Sequence, residues 1–242
     1  MTLRATDFEF RYRFWMIGLI YLLGFSAYRI DPVNVVEYAV GKITGHGTPQ
    51  AEILAHALFG VGALIMFFAA ALRTWAAAYL KSDVVQDPAL HAERLVADGP
   101  YRHLRNPLYL GGILVAFGFG FLAGRVGFVF ISAGFAIFFL RLIGLEESRL
   151  AATQGETYRE YLAKVPSLWP SLRPRVPAGG VRPQSRQAFA GEIFMWGFFA
   201  GMAAFAATLN EDVIWIITAA ALALYILRSY ALFSRRKARH SQ

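Results

Sequence analysis

The stretch GPYRHLRNPLYLGG, residues 99–112, and the doublet Glu146-Glu147 gather the groups in this chain best suited to chemistry. The first brings Arg102, His103 and Arg105 together with Tyr101, Tyr109 and two prolines in a short polar neck ahead of an apolar run. Asn106 is placed to cap a helix and Pro107 to start it, since a proline in the first turn gives up no hydrogen bond. The positive end of that helix, beside Arg105, suits a carboxylate or phosphate. Tyr101 and Tyr109 add aromatic faces and hydroxyls. Taken alone, the neck reads equally well as an interfacial belt of tyrosines and arginines.

The doublet tips that balance. Two acids at the end of an apolar run oppose the helix dipole and stand where basic residues are usual. On a continuing helix they point about 100° apart, so they address different partners. One faces a pocket while the other meets an arginine, either Arg149 or one from the neck. Only Gly124 and Arg125 separate the apolar runs that follow the neck and precede the doublet. A tight antiparallel hairpin therefore sets neck and doublet side by side. A guanidinium, a helix start, aromatic faces and carboxylates together suit a zwitterionic ligand that carries an extra cation.

The elements that must hold these groups are apolar. Hydrophobic residues make up 57% of the 242 residues, and mean hydropathy is +0.43. Six apolar runs stand out, Phe14 to Tyr28, Ile53 to Leu72, Tyr109 to Ala123, Val126 to Leu145, Ile193 to Leu209 and Val213 to Leu227. The pattern of the second continues through Leu80. The expected fold is all-α, a polytopic membrane protein of about six transmembrane helices with a cytoplasmic helical segment completing the core. Residues 1–90 carry the first two helices, 91–172 the core, 173–190 a linker rich in Pro, Gly and Arg, and 191–242 a C-terminal hairpin with a basic tail.

Charge orients this set. With the N-terminus inside, the cytoplasmic side receives Arg4, Arg11 and Arg13, then Lys81, Arg94, Arg102 and Arg105, the basic residues from Arg149 to Arg186, and the tail from Arg235 to Arg239. Only Arg29, Lys42 and Arg125 fall outside. The net charge of +8 is thus topogenic, and nothing in the pattern calls for a nucleic acid partner. With no cysteine in the chain, disulfides, thiolate metal sites and cysteine nucleophiles are excluded. No removable signal peptide is expected, and no metal-ligand set is evident.

The order of the motifs resembles the integral membrane methyltransferases related to isoprenylcysteine carboxyl methyltransferase and phosphatidylethanolamine N-methyltransferase. The residues that carry the resemblance are Tyr101, Arg105, Pro107, Tyr109 and Gly111, then Glu146 and Glu147, then Gly155, Tyr158, Tyr161, Val165 and Pro166. They span roughly residues 94–170. Asn106 departs from the family pattern, which has histidine there. Asparagine caps and donates but takes no proton near neutral pH. His103 either fills that gap or is an ordinary interfacial histidine.

The resemblance implies S-adenosyl-L-methionine as cofactor, bound by Tyr101, His103, Arg105, Asn106, Pro107, Tyr109, Gly111, Glu146, Glu147, Tyr158 and Tyr161, with Arg105, Glu146 and Glu147 as the catalytic set. The implied acceptor is a lipid or other hydrophobic small molecule, methylated on O, N or S. Two other readings stay open, an NADPH-dependent enzyme of the sterol reductase kind and a non-catalytic lipid-binding relative.

The remaining features have plainer readings. Gly118, Gly120, Gly124, Gly197 and Gly201 are read as packing positions. Arg141 and Arg73 snorkel, or Arg141 faces the site. His56 and Glu52 are interfacial. Trp169-Pro170 either covers the cofactor or seats its segment on the membrane. The last two runs form a wall of the acceptor path, an oligomer contact or an anchor.

Overall fold

The structure, a computed structural model, describes residues 3–80 and 97–240, with side chains described as far as Ala231. Among these residues the helices, in chain order, are α1 (Asp7–Arg11), α2 (Arg13–Ser26), α3 (Val35–Thr44), α4 (Pro49–Tyr79), α5 (Pro107–Gly120), α6 (Arg125–Gln154), α7 (Glu156–Lys164), α8 (Ser185–Gly191), α9 (Ile193–Thr208) and α10 (Glu211–His240). Short 3-10 turns fall at Ala27–Arg29 and Gly99–Arg102. The described residues form no strand, only an isolated bridge between Asn34 and Gly124. The fold is all-α, as expected. Lys81 and Arg94, and the boundary expected near residue 90, lie outside the described residues.

The expected six spans are corrected to three or four. Helices α4 and α6, and α10 over Glu211–Ala231, are long and apolar enough to cross a bilayer. Helices α8 and α9 make a fourth if their pair, bent by 60°, counts as one. A span needs roughly 20 residues at about 1.5 Å each. With 14 residues apiece, α2 and α5 fall short. Helix α5 is apolar for another reason: it is packed between α4 and α6, and most of its residues are buried against protein.

Helix α4 is the axis of the bundle. Met66, Ala69 and Ala70 on it share an apolar cluster with Val115 and Phe119 of α5 and with Met202 and Phe205 of α9. A second cluster joins Ile131, Phe135, Phe138, Phe139 and Leu142 of α6 to Ala116 of α5 and Phe10 of α1. Glycines set the closest approaches. A Cβ on Gly118 would lie 2.7 Å from Met66 Cγ, and one on Gly197 would collide with Ala221, so both are packing positions.

The α5–α6 turn is built by Asn34. Its Oδ1 accepts from the Val36 and Glu37 amides at 2.8 and 3.2 Å, capping α3. Its Nδ2 donates to the Phe121 and Ala123 carbonyls at 3.2 and 3.3 Å. Tyr28 Oη donates to the Leu122 carbonyl at 2.7 Å. Carbonyls that a helix end leaves without partners are met in this way. Arg125 forks onto Asp31 beside them, at 2.8 and 3.0 Å.

At the other end of α6, the N-terminal segment lies across the helix. Arg141 donates to both oxygens of Glu9, at 3.1 and 2.8 Å, and Arg149 donates to Asp7 at 2.6 Å. Thr6 and Glu9 close a reciprocal capping box on α1.

Two outcomes follow. Asn34→Ala removes a cap and both carbonyl contacts, and is expected to cost about 2 kcal/mol, against about 0.5 kcal/mol for Asn210→Ala, where an exposed side chain accepts from the Asp212 amide at 2.9 Å; thermal unfolding in detergent compares them. Arg141's hydrogen bond, more than any other contact, holds the Glu9 carboxyl at about 2 against an ordinary 4.5. With the folded value depressed, that stabilisation is full above about pH 4.5 and is lost as pH falls toward 2. The difference in Tm between the native chain and Glu9→Gln should close over that interval.

Candidate functional site

The tight hairpin brings the neck and the doublet together, as their spacing predicts. Arg105 forks onto Glu147, Nε to Oε1 at 2.8 Å and Nη2 to Oε2 at 3.2 Å. Its Nη1 donates to the Leu162 carbonyl at 2.9 Å and to the Val165 carbonyl. Four of these bonds leave one guanidinium N–H over. Asn106 Nδ2 donates to Glu147 Oε1 at 2.9 Å and to Ser167 Oγ at 3.1 Å. Glu146 turns the other way and accepts from Tyr109 Oη at 2.8 Å. Its second oxygen accepts no hydrogen bond among the described residues. The divergence expected of adjacent helical residues is therefore realised, with Glu147 on the neck arginine and Glu146 beside an aromatic ring.

Two expectations are corrected. Asn106 occupies the N-cap position of α5, but its side chain caps nothing, because Glu147 and Ser167 claim the amide. That leaves the first-turn N–H groups of Leu108 and Tyr109 without a side-chain cap. The doublet does not end its helix either. Nothing between Leu145 and Gln154 breaks α6, which stops only at Gly155, with φ +60°. At about 1.5 Å per residue the acids lie roughly 32 Å from Arg125, past a 30 Å hydrocarbon core. Their position is one of depth rather than of helix terminus. Arg149 and Arg141 serve Asp7 and Glu9, not the doublet.

A second segment clamps the neck from outside. The Arg105 and Asn106 amides donate to the Pro166 and Ser167 carbonyls, and the Ser171 and Arg175 amides donate to His103 and Arg102. Arg102 Nε reaches the Val176 carbonyl at 2.9 Å, and His103 Nδ1 pairs with the Ser171 carbonyl at 2.7 Å. His103 is thus held by backbone. Tyr158, Tyr161 and Val165 form a small buried cluster beneath this clamp, and Tyr161 Oη donates to the Tyr101 carbonyl at 2.8 Å. Burial pushes the Tyr158 and Tyr161 phenols up, so both stay protonated. Trp169 stands 87% exposed.

Tyr101 is different. It is buried, yet its hydroxyl has no hydrogen-bond partner among the described residues. Burial pushes its phenol well above the ordinary range, and nearby Tyr161 and Glu146 push the same way. A buried polar atom left without a partner is costly, and is retained where something else is to meet it. Gly111, also in the motif, faces the stem of Arg73; a Cβ there would overlap Arg73 Cγ. Pro107 is buried at the first position of α5.

Some participants were not evident from residue type. The Leu162 and Val165 partners of Arg105 are carbonyls, which any residue supplies. Asp98, 4% exposed, accepts from the Gly179 and Val181 amides at 2.8 and 2.9 Å and ties residues 179–181 to the neck. Glu192 and Arg73 pair across 119 positions, and the nearest sequence signal was the Arg73 charge within an apolar run.

Comparison with known proteins fits this geometry. Residues 57–156 match the phospholipid methyltransferase family. The nickel-cobalt-cadmium resistance protein NccN of Alcaligenes xylosoxydans xylosoxydans is 29% identical over 141 residues, 58% of this chain and 62% of that one. The protein-S-isoprenylcysteine O-methyltransferase of Schizosaccharomyces pombe is 38% identical over 74 residues, 30% and 31% of the two chains. The chain therefore spans less than two thirds of the length of these curated relatives. No solved structure matches it.

The Arg105–Glu147 clamp gives a direct test. Arg105→Ala and Glu147→Ala each strand a half-buried charge and are expected to cost about 3 kcal/mol. The double variant should cost less than their sum by 1 kcal/mol or more, because the two act as one unit. Unfolding of the four proteins in one detergent measures the coupling.

Proposed function

As a member of the superfamily of integral membrane methyltransferases, this chain, we propose, transfers a methyl group from S-adenosylmethionine to a hydrophobic or lipid acceptor. The observation that carries the reading is the buried Tyr101 hydroxyl, without a partner among the described residues, packed with Leu108 at the uncapped start of α5 and within electrostatic reach of Glu146.

These residues fit the cofactor. The methionine carboxylate suits the Leu108 and Tyr109 amides and the N–H that Arg105 has left. The ammonium, or the ribose hydroxyls, suits the open oxygen of Glu146. The Tyr101 hydroxyl, kept protonated by burial, is a donor in search of an acceptor, and the Tyr109 ring offers a face to a cation. When bound, S-adenosylmethionine supplies a methyl carbon on positive sulfur, already activated for in-line displacement. What remains for the protein is alignment and exclusion of water, and it needs no strong acid or base. A carboxylate or thiolate acceptor gives up no proton. An ammonium acceptor needs a base, and Glu146 is the acid with a free oxygen, since Asn106 takes no proton.

On this reading Arg105, Asn106 and Glu147 shape the site, while Tyr101, Tyr109 and Glu146 face the ligand. The reading puts the site on the cytoplasmic side, with both termini. Arg13, Arg105, Arg149 and their neighbours gather at that end of α6, and Arg125 at the far one, as the positive-inside bias favours.

S-Adenosylmethionine at a hundredfold its Kd is expected to stabilise the folded chain by about 2.7 kcal/mol, read as a rise in Tm. NADPH should leave Tm unchanged, and a rise with NADPH alone would contradict the reading. Tyr101→Phe separates ligand from fold. Without its orphan hydroxyl the free protein should be as stable or more so, while cofactor affinity drops about fivefold for one lost hydrogen bond. Transfer of labelled methyl into membrane extracts then identifies the acceptor.

A further inference from the structure

We propose that Glu192, at the break between α8 and α9, is a positioning residue. Through Arg73 it fixes the first turn of α5, so the C-terminal segment completes a site whose motifs all lie before it. The inference rests on the methyl-transfer reading and extends it to a residue outside the matched family region.

The geometry is specific. Glu192 is 2% exposed, in a segment otherwise apolar. Arg73 forks onto it, Nε to Oε2 at 2.7 Å and Nη2 to Oε1 at 3.1 Å. The third arm of the guanidinium, Nη1, donates to the Leu108 carbonyl at 3.0 Å. Leu108 stands between Asn106, held by Glu147, and Tyr109, the partner of Glu146. The Arg73 stem passes where a Cβ of Gly111 would be, and Ala69's carbonyl lies 3.2 Å from the same point. The motif glycine is thus the opening that lets α4 reach the helix start.

Helix adhesion alone does not need these charges. On either side of Glu192 the C-terminal segment is already docked on α4, through Trp196 Nε1 donating to Thr74 Oγ1 at 2.9 Å and the Gln184 amide donating to the Ala78 carbonyl at 2.7 Å. Phe194 and Trp196 pack against the same apolar cluster as α4. A buried ion pair holds such surfaces no better than apolar side chains of the same size. What an apolar pair cannot do is donate to Leu108. Arg73 needs Glu192 to stay directed at that carbonyl, and the first turn of α5 needs Arg73.

The test uses the full chain in detergent, with S-adenosylmethionine Kd by calorimetry and Tm without cofactor. Glu192→Gln and Arg73→Gln should each weaken binding about tenfold and lower Tm. The double variant Arg73→Met with Glu192→Met, which repacks the gap without charge, should recover most of the Tm and none of the affinity. Arg125→Gln, at the far end of the hairpin, should lower Tm and leave Kd unchanged. If the double variant binds as the native chain does, or if it does not fold and both single variants keep native Kd, the positioning role is overturned. Absence of binding to the native chain would overturn the methyl-transfer reading itself, and this inference with it.

Discussion

The contact between Arg105 and Glu147 is what the rest of the site depends on. A guanidinium with five fixed donors is unusual in being able to hold several stretches of chain at once. Here it holds the neck by its own backbone, α6 through Glu147, and the end of α7 through the Leu162 and Val165 carbonyls. Asn106 adds a second donor to the same carboxylate. Without this clamp the neck loses its direct tie to α6, and with it a main constraint on the angle at which Tyr101 and Tyr109 stand to Glu146. The roles of the two acids then follow. Glu147 is committed to the fold, and Glu146, turned about 100° away, is on the proposed reading the acid that meets the ligand.

A constraint at the opposite end makes the clamp possible. Helices α5 and α6 are unequal, 14 residues against 30, and α6 runs on past the neck. Their turn must therefore be held in register, or Glu147 would miss Arg105 by a turn. Asn34 and Tyr28 do this by meeting the carbonyls of Phe121, Leu122 and Ala123. The clamp at one end of the bundle thus depends on the backbone contacts that Asn34 and Tyr28 make at the other.

Much of this was legible in the sequence, for reasons that particular residues make clear. A hairpin with almost no loop leaves its far ends no choice but to be neighbours, so the meeting of Arg105 and the doublet could be read from spacing. The count of spans could not. Hydropathy reports that a segment avoids water, and α5 avoids it among protein helices, where 14 residues suffice. Likewise the apolar run before Glu146 ends at Leu145, but helicity does not, because no glycine or proline intervenes before Gly155. Asn106 was misread as a cap since its type suits that role, and only the fold discloses a stronger claim on its amide. Arg73 and Glu192 are far apart in sequence, and neither belongs to a motif.

The division of labour between the two acids is the central claim, and one paired measurement tests it most directly. Glu146→Gln and Glu147→Gln are chemically the same change one residue apart. Unfolding and S-adenosylmethionine titration of both, in the same detergent, should give opposite patterns. The account predicts that Glu146→Gln keeps the native Tm and loses at least tenfold in affinity, while Glu147→Gln unfolds several degrees earlier. Native affinity in Glu146→Gln, or an unchanged Tm in Glu147→Gln, would contradict it.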